Sequence, residues 1–203
     1  MKNIIYTILL VFIVNYSLCI KADIAIEGPG NFKRMVENNL SDAQSNSKYL
    51  AKLMQNIKKS SSTVTIKPIT NDKSTWHKSG KKSRSHTLAL DDKSRGAARN
   101  TPTDSIIYIN TNRITKAHKT YSSGTLIHEL VHASDLANGK YHGSYPIREK
   151  RAVFFQNIWR NMHSKELRTD YHGRFETDEY QKAIKSGNIK QFVSHYFEYN
   201  DIP

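Results

Sequence analysis

The sequence predicts an α+β fold, in which a small β-sheet packs on one central helix and further helices surround the pair. Three observations predict it. Short alternating or β-branched runs at 60–70 and 104–110 read as strands. The apolar-rich run TLIHELVHASDLANG at 125–139 reads as a buried helix. Amphipathic stripes with helical spacing flank these segments on both sides.

The first element is a leader. MKNIIYTILLVFIVNYSLCIKA opens with Lys2, continues through the apolar run from Ile4 to Val14, and ends in a cleavage region at Ala22. This is the layout of a secretory signal peptide, with cleavage after Cys19 as the alternative. The run from Ile4 to Ile20 holds Asn15 and Ser17 and is short for a bilayer span, which takes about 20 apolar residues. The expectation is a signal peptide at 1–22 and a single domain at 23–203. That domain is secreted, or periplasmic, with no stable membrane insertion after the leader is removed.

Residues 23–31 pair a short alternating segment with the turn Gly28-Pro29-Gly30. Phe32, Met35, Val36 and Leu40 recur at helical spacing, as do Tyr49, Leu50, Leu53, Met54 and Ile57, and both sets are expected to face the core. SSSTVTIKPIT at 60–70 reads as a strand ending near Pro68. Residues 71–102 are polar and basic, with a hairpin expected at Ser79-Gly80 and a short strand at His86–Leu90. Asp104 to Asn110 is the clearest strand. A polar linker is expected from there to Gly124, followed by the central helix, which Gly139 stops. Residues 140–147 are expected as a loop. Ile147 to Met162 reads as a long helix burying Val153, Phe154, Ile158 and Trp159. Residues 164–177 read as irregular, and Asp178–Lys185 and Ile189–Tyr199 as two short helices.

The length, 203 residues, suits one domain. Cys19 is the only cysteine, which excludes a disulfide scaffold, a Cys-rich metal site and a thiol nucleophile downstream of it. The balance of 31 Lys+Arg against 18 Asp+Glu leaves a charge of +13. Part of that excess lies in 71–102, between Lys73 and Arg99, which reads as a solvated surface or a contact for an acidic partner or anionic lipid. No RNP, helix-turn-helix or zinc-finger pattern supports a specific nucleic-acid partner.

The chemistry lies in His128-Glu129-Leu130-Val131-His132, an HExxH motif. Residues four apart share a helix face, so both imidazoles can reach one ion, and Glu129 sits about 100° round the helix. Zinc accepts imidazole nitrogen and keeps an open position for water, and a neighbouring glutamate can take that water's proton. Leu126, Ile127, Leu130 and Val131 supply the apolar flanks of a buried helix. The β-rich run just upstream stands where zinc proteases hold extended substrate by backbone hydrogen bonds.

The third ligand has several candidates. Asn138, ten residues after His128, is a poor zinc donor. Glu149, near the start of the next helix, is the first choice. Asp135, one turn after His132, is its rival, although a carboxylate there more often orients a histidine. His142 and His163 follow, with Glu166, Asp170 and Glu176 weaker. Oxyanion or substrate contacts are sought among Tyr141, His142, Tyr145 and Arg168, with Tyr171 and His172 further out.

Several pieces together carry a family resemblance: Gly28, Pro29 and Phe32; Leu53 and Ile57; the strand from Ser105 to Asn110; LIHELVHA at 126–133; Gly139; Glu149, Ala152 and Val153; and ELRTDYHG at 166–173. In order and spacing the chain, from about Ile26 to about Glu176, resembles the bacterial effector metallopeptidases of the NleD-like M91 family. The resemblance implies a compact minimal zincin-like domain that cleaves proteins with zinc, and host signalling proteins as targets. It carries His128 and His132 over as ligands, Glu129 as catalytic base and Glu149 as third ligand. The leader and the basic 71–102 region depart from the family pattern. The expected function is therefore a secreted zinc endopeptidase, acting as effector or toxin. The alternatives are a zinc amidase or peptidase acting on cell-wall peptides, and a basic binding module without activity.

Overall fold

The computed structural model describes residues 23–69, 85–90, 101–110, 119–141, 144–168 and 178–186. Its sheet comprises β1 (Ile24–Ile26), β2 (Val64–Pro68), β3 (His86–Ala89) and β4 (Ser105–Ile109), ordered β1-β2-β4-β3. β1, β2 and β4 run parallel, and β3 runs antiparallel along the outer side of β4. Alternation fixes the faces, because a one-residue slip would turn every side chain over. Val64 and Ile66 on β2, and Ile107 and Ile109 on β4, all face inward and are buried.

Among the described residues the helices are α1 (Gly30–Asn46), α2 (Lys48–Lys59), α3 (Lys119–Ala137), α4 (Tyr145–Met162) and α5 (Asp178–Lys185). α1 and α2 bury the expected stripes: Phe32 and Val36 on the first, and Leu50, Leu53, Met54 and Ile57 on the second. Ser47 separates them and caps α2, its side chain accepting from the Leu50 N–H at 3.3 Å. Lys58 and Lys59 lie in the last turn of α2, where cations complement the helix dipole.

α3 lies against β3 and β4, with α2 beside it and α4 packed along it. Nearly every described residue from Leu126 to Ala137 is buried, so the helix has no solvent face for most of its length. Leu126, Ile127, Leu130 and Val131 share one core with Ile66, Ile107, Leu53, Ile57, Phe154 and Phe155. Each such side chain contributes on the order of 1.5–3 kcal/mol when fully buried. The helix ends as expected at Gly139 (φ 64°). There the Lys140 N–H reaches the Asp135 carbonyl at 2.7 Å and the Gly139 N–H reaches that of Leu136 at 3.1 Å. That pair of bonds is a Schellman closure.

Three expectations need correction. Gly124 does not begin α3, which starts at Lys119. A Cβ on Gly124 would stand 3.2 Å from the Trp159 ring, so the glycine lets α3 and α4 approach closely. α4 begins at Tyr145, with Pro146 in its first turn, where a missing N–H costs nothing. It is also buried on more than one stripe. Arg151, Gln156 and Asn157 lie inside along with the apolar set, because each meets a partner.

α5 matches the expected Asp178–Lys185 helix. The leader, the hairpin at Ser79-Gly80, most of the basic 71–102 region and the helix expected at Ile189–Tyr199 lie outside the described residues. No described helix is long and apolar enough to cross a membrane.

Candidate metal centre

His128 and His132 project from adjacent turns of α3, and Glu149 meets them from the first turns of α4. All three are buried. His128 Nε2 stands 3.1 Å from Glu149 Oε2, and His132 Nε2 stands 3.5 Å from Glu149 Oε1. The two Nε2 atoms are 3.3 Å apart, with the rings crossed at 79°. Donor atoms round a tetrahedral ion with bonds of roughly 2.0–2.1 Å stand about 3.3–3.4 Å apart. The two imidazole nitrogens meet that figure, and the Glu149 carboxylate approaches them through its two different oxygens at 3.1 and 3.5 Å. Two imidazole nitrogens and one carboxylate thus form a buried group that can hold a metal ion, and its donors suit zinc.

The electrostatics divide the group. Burial lowers the His128 imidazole to about 4, against the pull of Glu149. Burial also acts to lower His132, but the carboxylates of Glu149, Glu129 and Asp135 outweigh it and raise that ring. Glu149 would be raised by burial. Its hydrogen bonds to the two histidines prevail and hold the carboxyl below the usual range.

Glu129 follows His128 on α3 and is buried as well. Burial pushes its carboxyl up to about 7, although His132 and the hydroxyl of Thr87 act in the opposite direction. Thr87 belongs to β3, and its Oγ1 lies 2.9 Å from Glu129 Oε2 and 3.0 Å from the Glu129 carbonyl oxygen.

The other candidates separate in space. Asp135 is buried, but it is paired with the buried Arg151 of α4 and is not among the three converging residues. His163 lies at the far end of α4, stacked on Trp159 and paired with Asp42 of α1 at 2.9 Å. Glu166 is exposed, and its carbonyl accepts from Arg160. His142, Asp170, Tyr171, His172 and Glu176 lie outside the described residues. Asn138 donates to the Ser134 carbonyl at 2.8 Å and serves the helix end.

Tyr141 stands beside the group, its ring 6.5 Å from that of His132, and the Arg148 guanidinium lies over it at 4.4 Å. Tyr145 is exposed at the start of α4, with the same guanidinium 5.8 Å from its ring. Arg168 approaches from the segment after α4. Its Nη1 donates to Gln156 at 3.0 Å, its backbone N–H donates to Asn157 at 2.8 Å, and its charge is felt at His128.

Two features escaped the sequence. The run just upstream of the motif, β4, is an interior strand with partners on both sides, so its backbone is not available to a substrate. Among the described strands the edge next to α3 belongs to β3. Thr87 and Arg151 are the other omissions. Thr87 lies 42 residues before its partner, and nothing in the local pattern marks either residue.

Over residues 20–182 the chain matches the Peptidase M91 family of effector proteins, and it belongs to that family. The family is one of peptidases, so proteins are the substrate class it implies. No curated protein and no solved structure matches the chain.

Proposed function

We propose that this M91 peptidase is a secreted, zinc-dependent endopeptidase in which His128, His132 and Glu149 hold the ion and Glu129 is the catalytic base. One observation carries the reading. Two imidazoles and a carboxylate converge, buried, with His–His and His–Glu separations of 3.1 to 3.5 Å, beside the buried carboxyl of Glu129. A carboxylate next to the ligand positions is placed to exchange a proton with water there.

Zinc held by these residues supplies Lewis acidity, polarising a carbonyl oxygen and lowering the pKa of water. Glu129 takes a proton from the attacking water as its oxygen bonds to the carbonyl carbon. It then gives that proton to the amine nitrogen as the C–N bond breaks. Tyr141, whose ring lies 6.5 Å from that of His132, and Arg168, whose charge acts on His128, are the candidate donors toward the developing oxyanion. β3 supports extended binding of the substrate, because it is at the edge of the described strands and joined to α3 through Thr87. Residues 23–203 act as one peptidase domain exported by the leader, with host signalling proteins as its targets. The basic 71–102 stretch would provide contact with acidic surfaces.

The test compares wild type with Glu129→Gln on a host-cell lysate, reading new protein N-termini by mass spectrometry. Wild type should generate a defined set of cuts. The variant should bind one equivalent of zinc and lose roughly 10²–10⁴-fold in rate. A wild type that binds no stoichiometric zinc, or a variant that cuts equally well, overturns the proposal.

A further inference from the structure

The Thr87 hydroxyl contacts Glu129 twice, and neither contact is local in sequence. The register explains how it gets there. Thr87 pairs with Ile107 across the β3–β4 ladder, and directly paired residues face the same way. Ile107 is buried against the helices, so Thr87 points at α3. Its neighbours His86 and Leu88 pair with Tyr108 and Ile106 on the opposite face, where the His86 and Tyr108 rings stack at 5.3 Å. A strand shifted by one residue would present an imidazole or a leucine to Glu129.

We infer that Thr87 is a positioning residue for catalysis: its hydroxyl fixes Glu129 Oε2, so that Oε1 is the oxygen that exchanges protons with water and with the leaving amine. The inference rests on the proposed role of Glu129. A glutamate side chain has three rotatable bonds, and a base must be held within hydrogen-bond reach of the proton it takes. The backbone of α3 anchors one end of Glu129, and Thr87 anchors the other. The same hydroxyl lies 3.0 Å from the Glu129 carbonyl, a second acceptor for its single proton on the same residue. Thr87 needs only to donate, so it stays bonded whether Glu129 is a carboxylate or an acid. In the carboxylate state Thr87 donates to Oε2. In the acid state, with the proton on Oε1, Oε2 still accepts from Thr87. The pairing therefore survives a full cycle without moving the side chain.

The experiment uses the zinc-loaded full chain and a peptide spanning a site that wild type cuts in lysate. Thr87→Val keeps the shape and removes the hydroxyl, whereas Thr87→Ser keeps the hydroxyl. Thr87→Val should lower kcat by about 10- to 100-fold, the range typical of residues that orient a metal site's working groups. KM should stay within about twofold, and one equivalent of zinc should remain bound. Thr87→Ser should recover most of the lost rate. Thermal unfolding, followed in parallel, shows whether Thr87→Val is folded at the assay temperature. If it is not, Thr87→Cys and Thr87→Ser are compared instead, since a thiol donates only weakly. Unchanged kcat in the folded hydroxyl-deficient variant overturns the inference, as does a failure of Thr87→Ser to restore rate. Both results require Glu129→Gln to be inactive. An active Glu129→Gln would instead overturn the proposed function, and this inference with it.

Discussion

Asp135 and Arg151 form a buried ion pair between α3 and α4, one helical turn from His132 and two residues from Glu149. The pair favours Glu149 over Asp135 as the proposed third donor. The Asp135 carboxylate is already engaged, and Arg151 would be left as a buried charge if it turned away. Removing one partner of such a pair costs about 3–5 kcal/mol. Asp135→Ala should therefore lower the melting temperature sharply while leaving one equivalent of zinc bound in the folded protein. Glu149→Ala should do the converse, losing stoichiometric zinc. Elemental analysis beside thermal denaturation distinguishes them, and loss of zinc only in the Asp135 variant would reverse the assignment.

Metal should stabilise this fold directly. Two buried histidines and a buried carboxylate join α3 to α4 at the centre, and an ion that binds only the folded state adds stability by mass action. Free zinc at a hundredfold excess over its Kd should contribute about 2.7 kcal/mol, or roughly 5–10 °C in Tm. A chelator should reverse it. A Tm unmoved by zinc and by chelator would remove the metal from the account.

Without metal, the same site makes stability depend on pH. The Glu129 carboxyl titrates near 7 in the folded protein, against an ordinary 4.5. The native state thus binds this proton more tightly than the unfolded chain. Its contribution is fully present below pH 4.5 and is lost as the pH rises through about 7. In chelator, wild type should fall behind Glu129→Gln as the pH goes from about 5 to about 8, by on the order of 3 kcal/mol. Denaturant unfolding of both proteins at the two pH values reads the difference. A constant gap would show that Glu129 does not titrate in that window.

Gly124 predicts a packing effect. A Cβ there meets Trp159 at 3.2 Å, and that buried ring is also stacked on His163 at 4.1 Å. Alanine gains up to about 1 kcal/mol in a helix interior, whereas overpacking costs about 1–3 kcal/mol. With the ring buried and already stacked on His163, Gly124→Ala should destabilise by about 1 kcal/mol and Gly124→Val by more. Chemical denaturation checks the order, and a stabilised alanine variant would show that Trp159 yields.

Local geometry was legible in the sequence. The four-residue spacing of His128 and His132 puts them on one face of any α-helix, and the stripes on α1 and α2 follow from the same period. The strands at Val64–Pro68 and Ser105–Ile109 showed in their alternation, and Gly139 marked the end of α3. Only the packing of distant elements brings the Glu149 carboxylate of α4 to the two imidazoles and gives the Asp135 carboxylate an arginine. Packing likewise made β4 interior, left β3 at the edge of the described strands, and aimed Thr87 at Glu129. The physical reason is the range of each constraint. Backbone periodicity acts over a few residues, whereas the contacts that complete the site link residues 21 and 42 positions apart and exist only once helix and sheet are packed.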